Sequence, residues 1–123
     1  MHFEADSVVP LYQQIADQFE AGILSEAFAE GEQLPSTTVM ARAYQLNPAT
    51  VLRGFNLLVT AGLIEKRRGI GMFVCAGARQ KLAAREQATF AETHVRTLVD
   101  AAKALGLGKE ALLAAIEKEW EHE

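Results

Sequence analysis

Between Ser36 and Val74 the chain carries five side-chain cations, Arg42, Arg53, Lys66, Arg67 and Arg68, against one carboxylate, Glu65. The 123-residue chain as a whole is acidic, with a formal net charge of -4, so this window of +4 is a local reversal of sign. Arginine and lysine donate hydrogen bonds and accept none, and their natural partners in such a patch are phosphate oxygens. An acidic protein with one basic face can still steer a polyanion, because the field at the contact decides. The other chemistry-bearing residues assemble nothing catalytic. His2, His94 and His122 are scattered without an i, i+4 metal pattern. Gly69-Ile70-Gly71 is too short for a nucleotide loop and follows no strand-to-helix order. One cysteine, Cys75, can form neither an internal disulfide nor a metal site; it reads as a small hydrophobe at the end of a strand, against a redox-sensing thiol or one that bonds a second chain. The expectation is a binding protein without metal, cofactor or enzymatic activity.

The elements that position those cations are specified by their caps. Ser36 can accept from the free N–H groups of a helix opening at Thr37, and Asn47 can do the same for one opening at Pro48, where a missing N–H costs nothing. Val39, Met40 and Ala43 give the first of these helices an apolar side; Val51, Phe55, Leu58 and Val59 recur at helical spacing in the second. Gly62 ends that helix, Leu63-Ile64 begins an extended segment, and a two-stranded hairpin with a basic, glycine-rich tip runs to Val74, with Phe73 taken for core. Helix, turn, helix, hairpin is the outline of a winged helix-turn-helix. In that unit the second helix offers its N-terminal residues to base edges. Asn47, Pro48 and Thr50 are therefore candidate contacts, with Asn47 equally able to be only a cap and Thr50 only a solvated side chain. Arg53, one turn on, is the leading single candidate, against a surface ion pair. Arg42 is placed to reach a phosphate, Ser36 stands at the mouth of the first helix, and Lys66, Arg67, Arg68 and Gly69 make the hairpin tip a candidate phosphate or minor-groove contact.

Upstream, Phe3, Val8 and Val9 are placed to anchor an extended N-terminus, and Pro10 opens a helix whose apolar stripe reaches Phe28. Pro35 holds Leu34 extended beneath the following helix. Downstream, Arg79 to Leu105 lacks Gly and Pro and predicts one unbroken helix; Gly106 ends it, and Lys109 to Trp120 forms another. Their apolar residues Ala91, Val95, Leu98, Val99, Ala102, Leu112, Ile116 and Trp120 cannot close a core alone; pairing with a second copy of the chain is the favoured expectation, against a tail folded back on its own domain. The fold class is mainly α with a small β-hairpin: a winged helix-turn-helix domain at residues 1–76 and a two-helix dimerisation tail at 77–123. No run is apolar enough for a membrane span, and Glu4 and Asp6 do not suit a signal peptide, so the cytoplasm is expected.

Pro10-Leu11-Tyr12-Gln13-Gln14-Ile15, Gly31, Leu34-Pro35-Ser36, Asn47-Pro48-Ala49-Thr50-Val51, Gly62-Leu63-Ile64 and Arg68-Gly69-Ile70-Gly71-Met72-Phe73-Val74 together resemble the GntR family of bacterial transcriptional regulators over about residues 8 to 75. Asn47-Pro48, Arg53 and the short tail are similar to its YtrA-type branch. The resemblance implies a homodimer on double-stranded, partly symmetric operator DNA, repression of the regulator's own operon, and an unknown small-molecule effector. It places DNA contacts at Thr38, Asn47, Pro48, Thr50, Leu52, Arg68 and Gly69. Three of these depart from the common family pattern, which usually has arginine at the position of Thr38, often at Pro48, where proline is usual in the YtrA-type branch, and frequently at Leu52. The alternative reading, which Thr38 and Leu52 raise, is a protein-interaction module on a winged fold that has lost DNA binding.

Overall fold

The computed structural model describes residues 1–122 and divides into two compact units, Met1–Ala84 and a second that opens at Arg85. In the first unit, α1 (Leu11–Leu24) buries Ile15, Phe19 and Ile23 at intervals of one helical turn. It ends four residues before Phe28. Phe28 instead folds back, its N–H donating to the Gly22 carbonyl at 3.0 Å while its ring stacks on Phe19 at 5.1 Å. Stacking on a buried ring gives Phe28 an apolar partner within the turn, which is why the stripe in the sequence outlasts the helix. Phe3 docks edge-on against Tyr44 at 5.3 Å, but Val8 is 99% exposed and does not anchor the N-terminus.

Both expected caps form. Ser36 Oγ accepts from the Val39 N–H at 3.1 Å to open α2 (Thr37–Tyr44), and Asn47 Oδ1 accepts from the Ala49 N–H at 2.8 Å to open α3 (Pro48–Thr60). The buried side of α2 is Met40 and Ala41, however; Val39 and Ala43 are exposed. On α3 the buried residues are Val51, Gly54, Phe55 and Leu58, whereas Val59, expected on the same stripe, is exposed. Gly54 is where α1 crosses: a Cβ there would stand 2.9 Å from both Ile15 Cγ2 and the Tyr12 carbonyl oxygen. Only hydrogen fits between the two backbones.

The wing is β1 (Ile64–Arg67) antiparallel to β2 (Gly71–Val74), with Ile64 opposite Val74 and Arg67 opposite Gly71. A third extended segment, missed in the sequence, pairs with β2: Gly31 N–H donates to the Val74 carbonyl, Val74 N–H to Glu32, and Leu34 N–H to Met72. This pairing and Pro35 bury Leu34 as expected. Phe73 is buried but stands outside the main core cluster, against an arginine of the wing. Ala78 and Leu82, from α4 (Ala78–Phe90), complete the core of the first unit. The first compact unit therefore runs on to Ala84.

The expected unbroken helix after Arg79 is interrupted. Ala91–Val95 form a π-helical turn between α4 and α5 (Arg96–Ala104). Thr89, Thr93 and Thr97 straddle it, and the latter two turn their hydroxyls back onto the Thr89 and Thr93 carbonyls at 2.9 and 3.4 Å. Such back-bonding competes with the regular ladder and distorts helices. After Gly106, α6 (Lys109–Trp120) completes a helical hairpin in the second unit.

Candidate nucleic-acid interface

The geometry sorts the five cations into bound and unbound. Arg67 is held twice: its Nε and Nη2 donate to Glu65 Oε1 at 3.2 and 3.1 Å, and its guanidinium carbon stands 4.0 Å from the Phe73 ring centroid. Residues 65 and 67 share one face of β1, and Glu65 is paired with Phe73 across the strands, which brings all three together. Arg67 thus braces the wing, and its expected contact with DNA would require it to leave a carboxylate. Arg42, Lys66 and Arg68 are exposed and have no carboxylate partner among the described residues. Arg53 is exposed as well, but it is neither free nor ion-paired; its guanidinium carbon lies 3.8 Å from the Tyr12 ring centroid. Ser36, Thr38, Asn47, Pro48 and Gly69 are all exposed, and Thr50 is half-buried. Ser36 Oγ and Asn47 Oδ1 are both engaged in capping.

The open face of α3 carries Ala49, Leu52, Arg53 and Asn56, with Leu52 46% exposed. Asn56 was not singled out from the sequence, although its i+3 relation to Arg53 places it on the same face. An asparagine amide there can both donate to and accept from an adenine edge.

The tip of the wing is held from outside the hairpin. Ile70 N–H donates to the Arg67 carbonyl, closing a tight turn over Arg68 and Gly69, and Gln33 Nε2 donates to the Ile70 carbonyl at 2.9 Å. Gly71 has φ +142, and a Cβ there would meet Gln33 Nε2 at 2.7 Å, so the glycine leaves room for this strut. Sequence reasoning missed Gln33 because its partner is thirty-seven residues away and is a backbone atom. Replacing it, as in Gln33→Ala, should loosen the tip at little cost to folding: about two- to fivefold weaker DNA binding, from one lost hydrogen bond, with the urea midpoint within error of the parent. Equal affinity for DNA in a fluorescence titration would show that the strut is idle.

Cys75 lies half-buried after β2, its N–H bonded to the Leu63 carbonyl. Burial, and then Glu65, push its thiol pKa up against the opposing pull of Lys81 and Arg67. A raised thiol pKa leaves little thiolate at neutral pH, in keeping with a packing role.

In the second unit, Val95, Leu98, Val99, Ala102, Leu112 and Ile116 line an almost wholly apolar groove of about 610 Å³, together with Phe90, which the sequence did not single out. Ala102 is buried in the single chain. Ala91 and Trp120 lie outside the groove, and Trp120 is 86% exposed. No cluster able to hold a metal ion is present among the described residues, and no helix is long and apolar enough to cross a membrane.

A family model described as bacterial regulatory proteins, gntR family, matches residues 11–74. Over 116 residues the chain is 32% identical to the uncharacterized HTH-type transcriptional regulator YhcF of Bacillus subtilis (strain 168), covering 94% of each protein. It is 30% identical over 95 residues to the HTH-type transcriptional repressor YtrA of the same organism, covering 77% of this chain and 73% of YtrA. The crystal structure of a transcriptional regulator from Oenococcus oeni superposes with a TM-score of 0.76 over 96% of this chain and 99% of that one, at 19% identity, a likeness of fold.

Proposed function

The chain belongs to the GntR family of DNA-binding transcriptional regulators, which are not enzymes, and on that premise we propose that it is a homodimeric, sequence-specific repressor of its own operon, of the YtrA-type branch. The observation that carries the DNA contact is the set of exposed, carboxylate-free cations on three elements of one unit: Arg42 on α2, Arg53 on α3, and Lys66 and Arg68 on the wing. Helix α3 would enter the major groove with Pro48, Ala49, Leu52 and Asn56 toward base edges, while Arg42, Lys66 and Arg68 take phosphates. Thr38, Thr50 and the backbone at Gly69 belong to the same contact surface.

The branch assignment is supported by the 30% identity to YtrA and by a C-terminal unit that is a helical hairpin. Pairing is supported by the apolar groove of that hairpin, where Val95, Leu98 and Ile116 stay substantially exposed in the single chain. Exposed apolar side chains clustered in this way gain free energy when a second copy covers them. Two reading heads would then face two half-sites of a partly symmetric operator. A small-molecule effector would act at the tail, by changing how the copies pair, and the protein would work in the cytoplasm.

The test is footprinting of the duplex upstream of its own gene, with affinity followed as salt is raised. Steep weakening with salt and protection of two half-sites are expected. A dimer that protects nothing and shifts no duplex at low salt would instead favour a protein-interaction module, for which the exposed Leu52 would be the contact.

A further inference from the structure

Arg53 is the only charged residue on α3. With Leu52 apolar beside it, whatever electrostatic grip the recognition helix has depends on where this one guanidinium points. It lies over the Tyr12 ring of α1, 3.8 Å from the centroid. The close crossing at Gly54, where the Tyr12 carbonyl stands 2.9 Å from the place of a Cβ, fixes the backbones of the two helices immediately beside the stack. No carboxylate competes for Arg53 among the described residues.

A guanidinium stacked on a ring uses its face and keeps its N–H donors in the plane, free for a planar acceptor such as phosphate. We propose that Tyr12 is a positioning residue for DNA binding: its ring holds Arg53 preorganised to donate to a backbone phosphate. The inference rests on the DNA-binding reading above and adds a residue on α1 that need not touch DNA. A long side chain already fixed loses less freedom when the contact forms, so the ring contributes to affinity through Arg53. The phenol hydroxyl plays no part, which separates this role from a direct tyrosine–phosphate bond.

The full-length protein is used first to select duplexes from a randomised pool. Affinity for the selected duplex is then measured across a salt series for the parent, Tyr12→Leu, Tyr12→Phe, Arg53→Gln and the Tyr12→Leu/Arg53→Gln double variant, with circular dichroism checking that each folds. Arg53→Gln should bind about tenfold more weakly and lose about 0.9 from the slope of log affinity against log salt for each protomer bound. Tyr12→Leu should lose about three- to tenfold with a reduced slope, and Tyr12→Phe should match the parent. The double variant should be no weaker than Arg53→Gln alone, since the ring acts only through the arginine. Parent-like affinity and slope in Tyr12→Leu would overturn the proposal, as would an undiminished effect of Tyr12→Leu in the Arg53→Gln background. A parent protein that enriches no duplex would overturn the DNA-binding reading itself, and this proposal with it.

Discussion

A charge set into the groove of the tail, as in Leu98→Asp, is expected to weaken operator binding by about 10²- to 10⁴-fold, the advantage of holding two half-sites with one particle. Leu98 lies on α5, is 44% exposed in the single chain, and lines the groove with Val95, Val99 and Ile116. Partial exposure lets the carboxylate reach water in the lone hairpin, whose helicity circular dichroism checks, while an unpaired carboxylate buried between two copies would be strongly unfavourable. The reading head is untouched, so one-headed binding, with its lower salt slope, should survive. Sedimentation should show the mass halved and a DNA titration the matching loss. If Leu98→Asp keeps both the parent mass and the parent affinity, pairing does not run through this groove.

The second large effect is on folding. Phe55→Ala should destabilise the first unit by about 3–5 kcal/mol, a sizeable share of the 5–15 kcal/mol that holds a typical domain together. Phe55 is fully buried, edge-on to Phe19 at 5.1 Å, in the core where α1 crosses α3. Few neighbours can relax into the space, because Gly54 already brings the helices to contact. Leu57→Ala, two residues along the same helix, removes a residue that is 38% exposed and should cost under about 1 kcal/mol. Urea denaturation of both variants measures the difference directly. Equal midpoints would mean that α3 is held by something other than its Phe55 face.

The contrast between Phe55 and Leu57 also marks how far the sequence could be read. Local chemistry was legible: Ser36 and Asn47 open α2 and α3 where their side chains meet free backbone N–H groups within three residues. The i, i+4 stripe of α1 and the turn at Arg68-Gly69 were legible for the same reason, since periodicity and turn residues act over a few positions. Which apolar residues of α2 turn inward was not. Val39 and Ala43 look as apolar as Met40 and Ala41, and only the placement of α3 decides among them.

Among the candidate contacts, the sequence determined that the recognition unit is basic. It could not rank the cations. Arg67 and Arg68 are neighbours in sequence, yet Arg67 is held by Glu65 and Phe73 while Arg68 sits exposed in the turn, because strand alternation and cross-strand pairing set their surroundings. Arg53 meets Tyr12, and Gln33 meets the Ile70 carbonyl, across chain separations that no local pattern encodes. The sequence by itself determined the helix-turn-helix and the wing, the sign of the charge on the reading head and the family, but neither the extended segment before α2 nor the π-turn at Ala91–Val95. The tertiary structure decided which cations have partners, which ring Arg53 lies over and what holds the tip of the wing, because those depend on surfaces that meet only when α1, α3 and the three extended segments have packed.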